Sequence, residues 1–156
     1  MTVAFIQRGA KYMLVKSAYT SVAASLIDGR MTHTLASLQM GKDEKVSNES
    51  KQKLQRMWDL KEYLITDKYS MISKSFLTLL SKTIGIGKQG SATTHGADSF
   101  GGINVILCGD LHQFPPVAME SFEFLYQPVD LTQDQMDTQI GRAICEEFRT
   151  VVILKE

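Results

Sequence analysis

The stretch Gly102-Ile-Asn-Val-Ile-Leu-Cys-Gly-Asp-Leu-His-Gln-Phe-Pro-Pro-Val117 packs a run rich in apolar residues, a turn glycine, a carboxylate, a neutral amide and two prolines into one short segment. A run such as Ile103 to Cys108, bounded by glycines, reads as a buried strand. An acidic residue just past such a strand is how open α/β sheets place chemistry at their carboxyl edge. Pro115 and Pro116 fix the backbone and would hold the Gln113 side chain in one place, where a neutral amide can sense a phosphate oxygen without carrying a net charge. The competing reading is a proline-stiffened loop with no chemistry.

Working outward, helix and strand signals alternate as in an α/β domain. Tyr63-Leu-Ile-Thr66 reads as a strand ending in Asp67, a second carboxylate at a strand end, where a Mg²⁺-bound nucleotide would sit. Many strands end in Asp merely as a helix N-cap, and Ser70 is a rival candidate for that cap. Thr2 to Arg8 reads as the end of a helix stopped by Gly9, Tyr12 to Val15 as a strand, and Ala18 to Ile27 as a small-residue helix stopped at Asp28-Gly29. Ser50 to Asp59 and Met71 to Leu80 carry helical spacing, and Gln139 to Phe148 reads as a helix leading into a last strand, Thr150 to Leu154. Gly41 to Ser50 and the glycine- and hydroxyl-rich Gly85 to Gly96 read as loops. Gly87-Lys88 is not a phosphate-binding loop, because Lys82 stands where the first glycine is needed and Gln89 where Ser or Thr is needed.

The totals bound the answer. The 156 residues, 44% of them hydrophobic, allow one globular domain with a sizeable core. No apolar run is long enough to span a bilayer and the first residues lack the layout of a secretory signal, so an intracellular protein without a membrane partner is expected. Cys108 and Cys145 suggest buried reduced thiols rather than a disulfide framework or a zinc site. Net charge is zero, yet residues 1–62 carry ten Lys or Arg against six Asp or Glu, while 103–156 carry three against nine. The basic part could face phosphate, or simply present solvated helix faces.

The ordered set Ala18-Tyr-Thr-Ser-Val-Ala-Ala24, Thr32-His33-Thr34, Tyr63-Leu-Ile-Thr-Asp67 with Ser70-Met-Ile-Ser73, Gly109 to Val117, and Val151 to Glu156 resembles PIF-type ATP-dependent DNA helicases, especially their Helitron relatives. The resemblance runs over nearly the whole chain. It implies an α/β fold, a RecA-like P-loop NTPase lobe with a mostly parallel sheet and helices on both faces. It implies ATP and Mg²⁺ as cofactors, with Asp67 as the Mg²⁺ carboxylate, Gln113 as the γ-phosphate sensor and Asp110 supporting that loop. It implies single-stranded DNA as partner, with Thr20, Ser21, Thr32 and His33 along the DNA track. His33 taken alone would be an ordinary helix-face histidine, and Phe114 either stacks on a base or belongs to the core. The implied parent activity is ATP hydrolysis coupled to 5′-to-3′ movement and unwinding, serving DNA repair, recombination and telomere maintenance, with a nuclear location if the source is eukaryotic.

Departures from the family pattern shape the expectation for this chain. Lys68 stands where the family has a water-activating Glu, a kind of group whose contribution is about 100- to 10,000-fold. Tyr19 and Ser21 replace a Pro and a Gly. The resemblance further implies that residue 1 falls just after the family's phosphate-binding loop and its strand, leaving a gap in the middle of the sheet, and that Glu156 falls just before an Asn-Met-Arg-Gln segment. The expectation is therefore a truncated first lobe that is inactive alone. The alternatives are a non-catalytic single-stranded-DNA-binding remnant or a decayed mobile-element fragment.

Overall fold

The computed structural model describes residues 2–36, 47–89, 98–110, 112–117, 120–130 and 135–154. Four strands, β1 (Leu14–Ala18), β2 (Arg30–Met31), β3 (Tyr63–Asp67) and β4 (Asn104–Leu107), form one sheet in the order β2-β1-β3-β4. Every pairing is parallel, with Ala18 opposite Asp67 and Thr66 opposite Leu107. The helices are α1 (Thr2–Gln7), α2 (Ser21–Leu26), α3 (Thr32–Ala36), α4 (Asn48–Trp58), α5 (Lys74–Lys88) and α6 (Met136–Glu146). Alternate strand residues point to opposite faces. Tyr63 meets Phe5 of α1 edge-on at 5.0 Å between ring centroids, whereas Leu64 is buried with Leu54, Trp58, Leu77 and Leu80 of α4 and α5. Helices therefore cover both faces, as expected for the RecA-like class.

The core lies on the α4–α5 side, where Leu54, Trp58, Leu64, Ile72, Leu77, Leu80 and Ile84 are fully buried. Gly87 makes that packing possible, since a Cβ there would sit 2.5 Å from Trp58 Cδ1. This overturns the loop expected from Gly85: α5 continues through Lys88, because its glycines lie on a packed face instead of breaking the helix. Lys88 is buried and donates from Nζ to the Asp59 and Lys61 carbonyls at 3.3 and 3.1 Å, just past the last turn of α4. Residues 90–96 of the expected loop, and 41–46 of the earlier one, lie outside the described residues; Asn48 to Ser50 are already helical.

Other boundaries also move. Lys11–Met13 form a 3-10 turn and β1 runs on to Ala18, carrying polar Lys16 and Ser17 that the apolar reading left out. Buried Ser17 Oγ lies 2.9 Å from Thr66 Oγ1 of the neighbouring strand, so the two hydroxyls satisfy one another inside the sheet. Helix α2 starts three residues later than expected, at Ser21, and α6 runs from Met136 rather than Gln139. The cap of α5 is Ser73, whose hydroxyl accepts the Phe76 N–H at 3.1 Å; Ser70 is buried in the preceding 3-10 turn and makes no such bond. The strand expected at Thr150 to Leu154 is not formed: Val151–Leu154 pair with no described strand and are 77–91% exposed. Nor is there a gap within the four strands, which are hydrogen-bonded neighbours throughout; β4 is an edge.

Candidate functional site

Because all four strands are parallel, their carboxyl ends meet at one edge. Over β3 and β4 the chain turns sharply. Lys68 takes the left-handed conformation, φ 60°, and its N–H returns to Asp67 Oδ1 at 2.8 Å. A non-glycine residue held there costs energy that the surroundings must offset. Two backbone bonds supply part of that hold, Cys108 N–H to Thr66 O at 2.8 Å and Tyr69 N–H to Cys108 O at 3.1 Å. Gly109 is required by close approach, since a Cβ would lie 2.9 Å from Tyr69 Cδ1.

Past Gly109 the β4 loop folds back on the β3 turn. Lys68 Nζ donates to Gln113 Oε1 at 2.7 Å, joining the two strand ends through side chains 45 residues apart. Asp110 accepts the Gln113 N–H on its carbonyl at 3.0 Å and the His112 N–H on Oδ1 at 2.9 Å. The His112 N–H, then the His112 ring and more distantly Lys68, hold the Asp110 carboxyl below the usual range. Burial raises the Cys108 thiol, and Asp67 adds to that rise. Pro116 is buried and anchors the loop, while Phe114 is 78% exposed, which rules out the core reading of that ring.

Over β1 and β2 sits the other predicted group. Thr20 caps α2, accepting the Ala23 N–H at 3.3 Å, and Ser21 beside it is exposed. His33 is half-buried between two rings, with Tyr19 at 4.5 Å and Phe76 at 4.8 Å. Burial raises the Tyr19 hydroxyl above its ordinary pKa. Thr32, expected to display its hydroxyl, is instead fully buried, because it shares the inner face of α3 with Leu35 and Ala36. Tyr19 N–H reaches the Asp67 carbonyl at 3.4 Å, so the two groups adjoin at the β1–β3 boundary.

A family model described as PIF1-like helicase matches residues 2–124, from α1 through the β4 loop. The chain belongs to the PIF1-like helicase family. Among its relatives, the ATP-dependent DNA helicase PIF1 of Xenopus laevis is 31% identical over 109 residues, covering 67% of this chain and 16% of that protein. A solved structure of Bacteroides Pif1 in complex with ADP-AlF4 has a TM-score of 0.54 and 26% identity, covering 78% of this chain and 27% of that one. Another, of Bacteroides Pif1 with ADP-AlF3 and single-stranded DNA, has a TM-score of 0.51 and 27% identity, covering 70% and 25%. The chain thus spans about a sixth to a quarter of the length of these relatives.

The carboxylates at the β3–β4 half of the edge are Asp67, at the end of β3, and Asp110, past β4. Among the described residues no three His, Cys, Asp or Glu side chains cluster as a metal cage. Mg²⁺ commonly takes one or two carboxylates together with substrate phosphates, so Asp67 alone is compatible with it. No helix among the described residues is long and apolar enough to cross a membrane. Sequence reasoning missed two features of the site. The first is the Tyr19–His33–Phe76 ring cluster, whose members lie on three separate elements. The second is the Lys68–Gln113 bond, which depends on a left-handed backbone that nothing about a lysine announces.

Proposed function

We propose that this chain forms the core of the first motor lobe of an ATP-dependent, 5′-to-3′ DNA helicase, and that these 156 residues alone do not hydrolyse ATP. The carrying observation is the Lys68–Gln113 hydrogen bond of 2.7 Å beside Asp67. In the roles proposed, Asp67 faces Mg²⁺, Gln113 senses the terminal phosphate and Asp110 holds the Gln113 loop through its carbonyl. The metal, when bound with nucleotide, supplies charge neutralisation at the phosphates. Lys68 occupies the position of a general base without being able to accept a proton in its ammonium form, and it engages the sensor amide instead. No Gly-Lys-Ser or Gly-Lys-Thr occurs in the 156 residues, so the phosphate-wrapping loop must be supplied by other residues for turnover.

The opposite half of the edge supports single-stranded DNA as partner. Exposed Ser21 and the half-buried His33–Tyr19 pair offer a hydroxyl and rings on the strand-end side where Thr20 fixes α2. Phe114, highly exposed, adds a stacking surface. A binding module without catalysis is the second reading, favoured by Lys68 at the position of the general base and by the exposed Ser21 and Phe114. The family roles in DNA repair, recombination and telomere maintenance, a nuclear location and a Helitron origin belong to the proposal for the parent protein.

The test is direct. The purified 156-residue protein should show no DNA-stimulated ATPase, yet bind oligo-dT with strong salt dependence that weakens in Ser21→Asp and His33→Ala. ATPase activity abolished by Asp67→Ala would overturn the inactive-alone reading. Absence of any oligonucleotide binding at low salt would remove the DNA-binding one.

A further inference from the structure

A cavity of about 430 Å³ is lined by Lys11, Lys16, Arg30 and Lys61 with a single carboxylate, Asp28. Lys11 and Lys61 precede β1 and β3, at the amino edge of the sheet, and from there the lining runs along β1 to Arg30, which lies opposite Ser17. Asp67, Gln113, Thr20 and His33 all follow the strands. A five-residue strand at ~3.3 Å per residue puts the Lys11 and Lys61 end of the cavity about 15 Å from that edge, with Arg30 nearer to it. Nothing in the roles assigned to the carboxyl edge accounts for four cations here.

Four cations face one carboxylate in this lining. The Lys16 side chain is only 15% exposed, and its partner Asp28 Oδ2 lies 3.7 Å away on a carboxylate that is itself 86% exposed. That separation is beyond a hydrogen bond, so Asp28 holds the Lys16 ammonium only loosely. Lys61 Nζ is steered by the Tyr12 carbonyl, and Arg30 Nη1 leans at 3.7 Å on the weak acceptor Met57 Sδ. The wall beside them is fixed by close approach: a Cβ on Gly29 would sit 2.8 Å from Lys16 O, and Asp28 is held at φ 52°. Val15, Leu35 and Met57 supply an apolar side. The volume lies within the range of small-molecule sites, roughly 300–1,000 Å³.

We propose that this pocket binds a nucleoside phosphate, with Lys11, Lys16 and Arg30 around the phosphate oxygens and the Val15–Met57 wall against the sugar or base. The same chemistry is offered by a free nucleotide and by the phosphorylated end of a DNA strand. The proposal does not depend on Asp67, Gln113 or the helicase reading.

The experiment uses the purified chain at low salt with two probes, fluorescent ADP and labelled oligo-dT carrying a 5′-phosphate, each with unlabelled competitors. Lys11→Glu and Arg30→Glu change exposed residues, and an unshifted thermal transition shows that each variant is folded. At least tenfold weaker binding of a probe in both variants, with retention in Lys51→Glu, a charge reversal at an exposed position of α4 outside the cavity, supports the pocket. Competition by ADP alone then assigns a free nucleotide, and competition by the 5′-phosphorylated but not the unphosphorylated oligonucleotide assigns a strand end. Wild-type affinity in both charge-reversed variants overturns the proposal. So does equal binding of phosphorylated and unphosphorylated strands with no binding of ADP, or no binding of either probe.

Discussion

Replacing Glu123 by alanine is expected to remove a large part of the protein's stability although the residue lies outside the candidate site. Glu123 is 8% exposed and its two oxygens accept three bonds: Thr138 Oγ at 2.6 Å, Ser75 N–H at 3.0 Å and Ser75 Oγ at 2.9 Å. Beside it, fully buried Lys74 donates to the Phe122 and Pro128 carbonyls at 2.7 and 3.3 Å. One carboxylate thus ties α5, α6 and the segment around residues 121–128 together. Each donor stranded in the interior costs about 1–3 kcal/mol, and breaking a buried charged partnership costs about 3–5 kcal/mol. These overlap rather than add, so we take about 3–5 kcal/mol for Glu123→Ala. At roughly 2–4 °C per kcal/mol for a chain of this size, the melting temperature should fall by about 6–20 °C. Urea unfolding followed by circular dichroism measures the loss, and a cost below about 1 kcal/mol would refute the reasoning. The pH dependence supplies a second check. Burial alone would raise the Glu123 carboxyl, but the Thr138 and Ser75 bonds and nearby Lys74 outweigh it and hold it below the usual range. A folded pKa below the unfolded value of about 4.3 means the stabilisation is fully present above that pH and is lost as pH falls through the folded value. The stability gap between wild type and Glu123→Gln should therefore narrow on acidification below about pH 4.

Gly141→Ala would place a Cβ 2.0 Å from the Lys74 carbonyl oxygen, so α6 must lift off α5 at a cost of about 3 kcal/mol; an unchanged urea midpoint would contradict that contact. Lys88→Met keeps the buried stem but removes the donor to the Asp59 and Lys61 carbonyls, and should cost about 1–3 kcal/mol by the same assay. Burial raises both the Cys108 and Cys145 thiols, so at neutral pH iodoacetamide should modify them more slowly in the folded protein than in urea. Equal rates followed by mass spectrometry would show that the thiols are not shielded.

The two strand ends that carry Asp67 and the Gly109–Asp110 turn were readable because their signal is local. An apolar run of four to six residues followed at once by Asp, or by Gly-Asp and a Pro pair, specifies a strand and its exit within one short window. Signals that need a partner were not readable. Val151 to Ile153 have strong strand propensity, yet propensity forms no strand without an adjacent edge, and these residues pair with neither β2 nor β4. Gly87 looked like a breaker because its value lies in what it touches, Trp58, and that contact spans 29 residues. Thr32 shows a reading that periodicity could have corrected. Thr32, Leu35 and Ala36 fall at i, i+3 and i+4, the spacing of one buried helix face, which outweighs the appeal of a hydroxyl between two motif residues.

Parallel topology is what turns scattered motifs into one site. Had any of the four strands run antiparallel, its following loop would have left the edge that carries Asp67. The order β2-β1-β3-β4 also sorts the groups: Thr20, Ser21 and His33 follow the two strands on one side, while Asp67, Lys68 and the Asp110–Gln113 loop follow the two on the other. The boundary between the halves is the β1–β3 pair, where Tyr19 N–H meets the Asp67 carbonyl and the Tyr19 ring meets His33. The β3 turn thus touches Tyr19 through the Asp67 carbonyl, and Tyr19 touches His33. In the motor proposed above, that short path is the physical route by which the phosphate-facing half of the edge would be coupled to the half facing DNA. A Tyr19→Ala variant of the 156-residue protein should accordingly lose the response of the His33 ring resonance to Gln113→Ala, and an unchanged response would place the coupling elsewhere.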